Sequence, residues 1–187
     1  MLVGVVGKSG AGKSTLVKRM KTFCNDIVHV DIDKIGHDIL KNDEIVQTIV
    51  NIVGDVSVVE EGVLNRKKVG NIIFNDLEKY RQYYEYTEDI EYEIIDEIIR
   101  ENSDKIVVLD WILLDQTKYW EMLDYRILIE TDVDVRKNRV VSRDEITEDY
   151  FMLREVMKNN YDVENMDVVI NGNDIDDEKI KQILGEL

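Results

Sequence analysis

Proline is absent from all 187 residues, where average usage near 5% would supply roughly nine. Turns must therefore be made by glycine, asparagine and aspartate. A biased genome accounts for such a gap without reference to function. Cysteine occurs once, as Cys24, so no internal disulfide is available, and a reducing, cytoplasmic setting is the expectation. No apolar run approaches the 18 residues that a membrane-spanning helix needs. The opening residues run as a strand into glycine and lysine, which interrupt any signal-peptide core. Basic residues are also scarce, at 24 against 40 acidic ones, for a formal net charge of −16. That balance argues against a general nucleic-acid or anionic-membrane partner.

What the chain does contain is unevenly placed. Residues 1 to 25 hold Lys8, Lys13, Lys18, Arg19 and Lys21 and no acid, and the acidic remainder starts at Asp26. A local positive patch on an acidic protein suits a small polyanion, although Lys18, Arg19 and Lys21 read best as a solvated helix face. Within the patch, Gly7-Lys8-Ser9-Gly10-Ala11-Gly12-Lys13-Ser14-Thr15 fits the phosphate-binding pattern G-x-x-x-x-G-K-S/T. Apolar Leu2–Val6 before it reads as a buried strand and Leu16–Lys21 after it as a helix. That context is the one the motif requires. Glycines let successive backbone N–H groups converge on phosphate oxygens, and the helix N-terminus adds partial positive charge. Gly7, Ser9, Gly10, Ala11, Gly12, Lys13, Ser14 and Thr15 are the expected nucleotide contacts. Lys13 would reach the β- and γ-phosphates, and the Ser14 hydroxyl would ligate Mg²⁺.

Further strands are expected at Ile27–Val30, Ile106–Leu109, Tyr125–Ile129 and Val168–Ile170, and helices at 34–40, 45–53, 66–74, 76–100, 131–143, 147–160 and 174–187. Residues 54–64 read as a turn or hairpin, and 111–123 as loop and helix. Strands alternating with helices after a phosphate loop predict a single α/β domain over 1–187. It would be a three-layer P-loop NTPase sandwich around a parallel sheet. A helical insertion spans about 34–101 and a lid about 136–160.

Carboxylates close two of the strands. Asp31 and Asp33 follow the second, at the strand end where open parallel sheets bind ligands, and either can serve an acceptor hydroxyl. Asp110 ends the apolar run 106–109 in the manner of a Walker B acid, a supporting group for Mg²⁺ along with Asp31. Arg136, Arg139 and Arg143 recur at spacings of three and four, so they share a helix face. They form either a phosphate clamp or a solvated face paired with Asp132 and Asp144. Asp33-Lys34-Ile35-Gly36 matches D-x-x-G, but the guanine-specifying N-K-x-D is missing, which disfavours a GTPase. His29 lies within a strand and reads as packing. The five tyrosines between Tyr80 and Tyr92 read mostly as core, with an acceptor-binding wall as the other possibility.

In order and spacing the chain resembles the dephospho-CoA kinase family, which phosphorylates the ribose 3′-hydroxyl of dephospho-CoA with ATP. His29-Val30-Asp31-Ile32-Asp33 is similar to the family's V-I-D-A-D, whose second acid is the base. Gly62 to Gly70, with Ile73-Phe74, resembles G-x-L-x-R-x-x-L-x-x-x-V-F. Val108-Leu109-Asp110 with Leu113-Leu114 resembles V-L-D-x-P-L-L-F-E. Arg139 to Asp144 resembles the lid's R-x-x-x-R-D, and Asp167 to Ile170 the A-D-x-V-I-x-N near the adenine. The resemblance implies ATP and Mg²⁺, with Lys13, Asp33, Arg139 and Arg143 as the catalytic set and Arg66 and Asp31 at the acceptor. The acceptor end departs from the pattern. The family's H-P falls near Thr87-Glu88, and the proline and glutamate of P-L-L-F-E are Ile112 and Gln116. The segment between the lid helix and the last strand is short. A nucleoside or deoxynucleoside monophosphate kinase, or a non-catalytic nucleotide-binding relative, is the alternative. The ligand expected in every case is a small molecule, and sequence leaves the oligomeric state open.

Overall fold

The computed structural model describes residues 1–157 and 160–187. The chain divides into two compact units, one made of Met1–Asp31 with Glu101–Leu187 and the other of Ile32–Arg100.

The first unit is built on five parallel strands, β1 (Leu2–Val6), β2 (Ile27–Asp31), β5 (Ile106–Asp110), β6 (Tyr125–Glu130) and β7 (Val168–Asn171), in the order β2-β5-β1-β6-β7. Every residue of β1 is buried, which is why its sequence is continuously apolar rather than alternating. Helix α1 (Lys13–Phe23) and the closing helix α8 (Asp177–Glu186) pack on one sheet face. Leu16, Val17 and Met20 of α1 and Ile180 and Ile183 of α8 meet Val3, Val5, Val108, Ile127 and Ile129 there. The neighbours of β1 on its two sides, β5 and β6, are reached by the chain in succession. The order therefore reverses around β1, and a crevice at its carboxyl end is where such sheets bind ligands.

Helix α6 (Val133–Asp144) follows β6 and is capped by the Asp132 carboxylate, which accepts from Asp134 N at 2.8 Å. Helix α7 (Glu148–Met157) opens behind Thr147, whose hydroxyl accepts from Tyr150 N at 3.2 Å. The expected continuation of α7 to about 160, and with it the end of the lid, falls partly on residues 158 and 159, outside the described residues. Residues 111–123 contain two short 3₁₀ turns, at Leu114–Gln116 and Trp120–Met122, rather than the expected helix. The Thr117 hydroxyl bonds Leu114 O at 2.8 Å and accepts from Tyr119 N at 3.2 Å. Such local side-chain bonds compete with helix propagation.

The second unit contains α2 (Ile32–Ile39), α3 (Asp43–Val53), the two-residue strands β3 (Val59–Glu60) and β4 (Val63–Leu64), α4 (Arg66–Ile73) and the 25-residue α5 (Leu77–Glu101), whose last residue already belongs to the first unit. Side chains cap three of its helices. Asn42 accepts from Glu44 N and Ile45 N, Asn65 from Lys68 N, and Asp76 from Glu78 N and Lys79 N. Ile39, Ile49, Val53, Val58, Leu64, Val69 and Ile73 form its core, with Tyr83, Tyr86, Ile90 and Ile94 of α5 packed against it. Helix α2 begins at Ile32 rather than near residue 34, so Asp33 occupies a first helical turn.

The sheet core supplies a direct test. Ile127 is fully buried at the centre of the first unit's hydrophobic cluster. Ile127→Ala should lower unfolding free energy by about 2–5 kcal/mol in urea titration, and a loss well under 1 kcal/mol would contradict this placement.

Candidate active site

The loop between β1 and α1 carries three glycines at positive φ, Gly7 (152°), Gly10 (79°) and Gly12 (113°). At Gly7 a Cβ would stand 2.6 Å from the carbonyl oxygen of Ile129, and Gly10 is nearly as confined. A Cβ there would stand 2.9 Å from the carbonyl oxygen of Arg136 and 2.9 Å from a Val140 methyl. From the opposite side, Gly172 lies so close to Ala11 O and the Thr131 hydroxyl that a Cβ would overlap both. The Thr131 hydroxyl also donates to Ala11 O at 2.8 Å. The start of α1 has no side-chain cap and no acid in its first turn, so its N–H groups remain available to an anion. Lys13 Nζ donates to Gly7 O at 3.0 Å. Gly10, Gly12, Lys13, Ser14 and Thr15 line a cavity of about 390 Å³ together with Arg139, Arg143 and the Gly172–Asn173 turn. That size suits a small ligand.

The carboxylates follow from strand register. In the β2–β5 pair, His29 lies opposite Val108 and Asp31 opposite Asp110. In-register residues of parallel strands share a face, and residues two apart along a strand share it too. His29, Asp31 and Asp110 therefore stand on one face, that of Ile27 and Val108, against which α1 packs. Asp110 is 3% exposed. Its Oδ2 accepts from the Ser14 hydroxyl at 2.8 Å and meets His29 Nε2 at 3.2 Å. Reading His29 as packing missed this contact, because the pairing of β2 with β5 joins residues 81 positions apart.

The donor set fits Mg²⁺. With the hydroxyl proton of Ser14 directed at Asp110, the lone pairs of Oγ are left for a cation. Among the described residues, no three His, Cys, Asp or Glu side chains gather as a metal cage of their own. Magnesium does not need one, since it commonly takes one or two protein oxygens, water and substrate phosphates.

The three arginines of α6 separate. Arg139 reaches the phosphate loop, donating to Gly10 O at 3.1 Å and to Asn173 Oδ1 at 3.0 Å. Arg143 lines the same cavity and forks onto its neighbour Asp144 at 2.6 and 2.9 Å. Arg136 turns inward and is 5% exposed. Its Nε donates to Thr131 O at 2.9 Å, and its two terminal nitrogens grip both oxygens of Glu155 at 2.8 Å. Lys8 completes the group, 2.9 Å from Glu155 Oε1. Glu155 of α7 thus ties the phosphate loop to α6. Nothing in the sequence marks it, since its partners are 147 and 19 residues away.

In the second unit, Asp33 is in the first turn of α2, and the Arg66 guanidinium meets His37. Glu91 of α5 lies against Gly36, where a Cβ would come within 2.7 Å of its Oε1. Burial, then the charges of Glu88 and Asp33, push the Glu91 carboxyl up to about 7. The tyrosines divide between roles. Tyr83 and Tyr86 pack on the core, whereas Tyr80 and Tyr84 are exposed, their ring centroids 4.3 Å apart.

A glycine loop between a parallel strand and a helix, with a buried acid on the neighbouring strand holding the loop's serine, defines a P-loop nucleotide-binding protein of the α/β class. The dephospho-CoA kinase family model matches residues 1–177, and this chain belongs to that family of kinases. A dephospho-CoA kinase of Fusobacterium nucleatum is 25% identical over 92% of this chain and 90% of its own length. A crystal structure from Thermus thermophilus shares the fold at TM-score 0.80, with 18% identity over 100% of this chain and 97% of that one. The dephospho-CoA kinase from Campylobacter jejuni shares it at TM-score 0.63, with 19% identity over 99% and 94%.

Two carboxylates give measurable expectations. Glu155 is held below its usual range by Arg136 and then Lys8, so its contribution to stability is present at neutral pH and fades as pH falls through and below about 4.5. Glu155→Gln should cost on the order of 3 kcal/mol at pH 7, by leaving buried Arg136 without its counter-ion, and should flatten that acid limb. A wild-type slope in the variant would contradict it. Glu91 has the opposite sign. The folded chain keeps a proton that the unfolded chain releases, so stability falls as pH rises from about 4.5 to about 7. In Glu91→Gln, thermal melts across that window should lose this fall.

Proposed function

We propose that this chain transfers the γ-phosphoryl group of ATP to the ribose 3′-hydroxyl of dephospho-CoA. The observation that carries the reading is the shared cavity. The N-terminus of α1, Lys13, Ser14 and two arginines of α6 all line it, and the reaction needs that many donors and cations around a triphosphate.

Lys13 and the loop N–H groups hold the β- and γ-phosphates. Ser14 would hold Mg²⁺ directly, with Asp110 and Asp31 supporting it. The ion, when bound, neutralises charge on the phosphate oxygens. Asp33, two residues beyond Asp31 in the chain, orients the acceptor hydroxyl and takes its proton. The acceptor oxygen then forms a bond to the γ-phosphorus as the bond to the β–γ bridging oxygen breaks, and ADP leaves. Arg139 and Arg143 neutralise the charge that develops on the transferred group, and α6 with α7 acts as the lid. The second unit serves as the acceptor-binding insertion, with Arg66 contacting the acceptor. The net charge of −16 suits a cytoplasmic enzyme of small soluble substrates rather than one acting on nucleic acid or an anionic membrane.

The test is ADP formation by the purified chain with Mg-ATP, comparing dephospho-CoA with a panel of nucleoside and deoxynucleoside monophosphates. Turnover of dephospho-CoA alone is expected. Turnover of a monophosphate instead would move the acceptor to that class, and no turnover of any would leave a nucleotide-binding relative. Asp33→Asn should lower kcat about 10²- to 10⁴-fold while ATP affinity is retained. Near-normal turnover would remove Asp33 from its role.

A further inference from the structure

Asp110 receives two hydrogen bonds, and both fall on the same oxygen. Ser14 Oγ is 2.8 Å from Oδ2, and His29 Nε2 is 3.2 Å from it. Neither bond uses Oδ1. A carboxylate oxygen only accepts, so the imidazole must carry a proton on Nε2. His29 is partly enclosed, its side chain 15% exposed beside the 4% of Asp110, so the contact is shielded from competing water. The strands dictate it. His29 and Asp31 lie on the same face of β2, and register sets Asp31 beside Asp110. His29 is then the diagonal neighbour of Asp110, within reach of a ring-sized side chain. The hydrophobic residues around it do not need an imidazole. Ile27, two residues earlier on the same face, fills its place with hydrocarbon alone.

We propose that His29 is a positioning residue for the metal-supporting carboxylate, holding Asp110 in the rotamer that fixes the Ser14 hydroxyl and presents Oδ1 toward a hydrated divalent cation. A carboxylate with one donor can rotate about its Cβ–Cγ bond and exchange oxygens. A second donor on the same oxygen removes that freedom. It also strengthens the orientation of Ser14, because the hydroxyl proton then has one defined acceptor. Partners of this kind commonly alter metal affinity by about 10- to 100-fold. The proposal rests on the reading that Ser14 and Asp110 support Mg²⁺.

The test separates positioning from packing by replacing the ring in two ways. His29→Gln keeps an N–H donor near the place of Nε2 but fills the site poorly. His29→Phe keeps the ring but has no donor. A packing residue tolerates Phe better than Gln, and a positioning residue the reverse. Binding is measured directly, as Mn²⁺ affinity by electron paramagnetic resonance in the presence of a non-hydrolysable ATP analogue, and as analogue affinity in EDTA. Thermal melts of each variant report folding. The expected result is about a 10-fold loss of Mn²⁺ affinity in His29→Phe, near-wild-type affinity in His29→Gln, and metal-free nucleotide affinity unchanged in both. Equal Mn²⁺ affinity in His29→Phe and wild type would overturn the proposal, as would a loss in His29→Gln as large as in His29→Phe. If His29→Phe fails to fold, the Gln variant decides alone, since its Mn²⁺ affinity must stay within about threefold of wild type. Absence of any Mn²⁺-dependent gain in nucleotide affinity in the wild type would instead overturn the metal reading itself.

Discussion

Backbone comes close to backbone at two places on the phosphate loop. The carbonyl of Arg136 stands 2.9 Å from where a Cβ of Gly10 would be, and Gly172 lies against the carbonyl of Ala11. The loop is therefore shaped by α6 and by the turn after β7 as much as by its own glycines. That closeness fixes where the cations fall. Once the first turn of α6 lies against Gly10, Arg139, one turn further on, can reach the Gly10 carbonyl and Asn173. The same contact seats Arg136 beneath the loop, where only a carboxylate from elsewhere can neutralise it. Glu155 does so.

The acid end of the site has a separate origin, in the sheet. Asp31 and Asp110 end adjacent strands in register, and α1 brings Ser14 to Asp110. A helix packed on a sheet face and a loop packed between backbones thus bring a hydroxyl, a carboxylate and guanidinium groups to bear on one loop. Such groups are useful for phosphoryl transfer because they are fixed before the substrate arrives.

Much of this was legible in the sequence, for reasons that differ by element. The phosphate loop is a local motif, and its flanking strand and helix are local patterns, so all could be read in place. Spacing put three arginines on one face of α6 but could not divide them. Which one turns inward depends on Glu155, from a different helix. The His29–Asp110 contact was not legible because it comes through strand pairing, and the turns between 111 and 123 were not because Thr117 bonds locally instead of allowing a helix. Glu91 carries no motif. Its raised proton affinity comes from burial against Gly36 beside other acids, which spacing alone does not reveal.

The Lys8–Glu155–Arg136 group has a consequence beyond holding helices together. Two cations and one anion leave a single positive charge beside the loop, inside a molecule whose net charge is −16. A nucleotide far from the protein meets the whole acidic surface and is repelled, while one already at the loop meets the local excess of cations. At cellular ionic strength the Debye length is about 8 Å, short enough to damp the first effect yet longer than the contact distances over which the second acts. Ambient salt, which weakens electrostatic capture by a basic protein, here removes the obstacle to it.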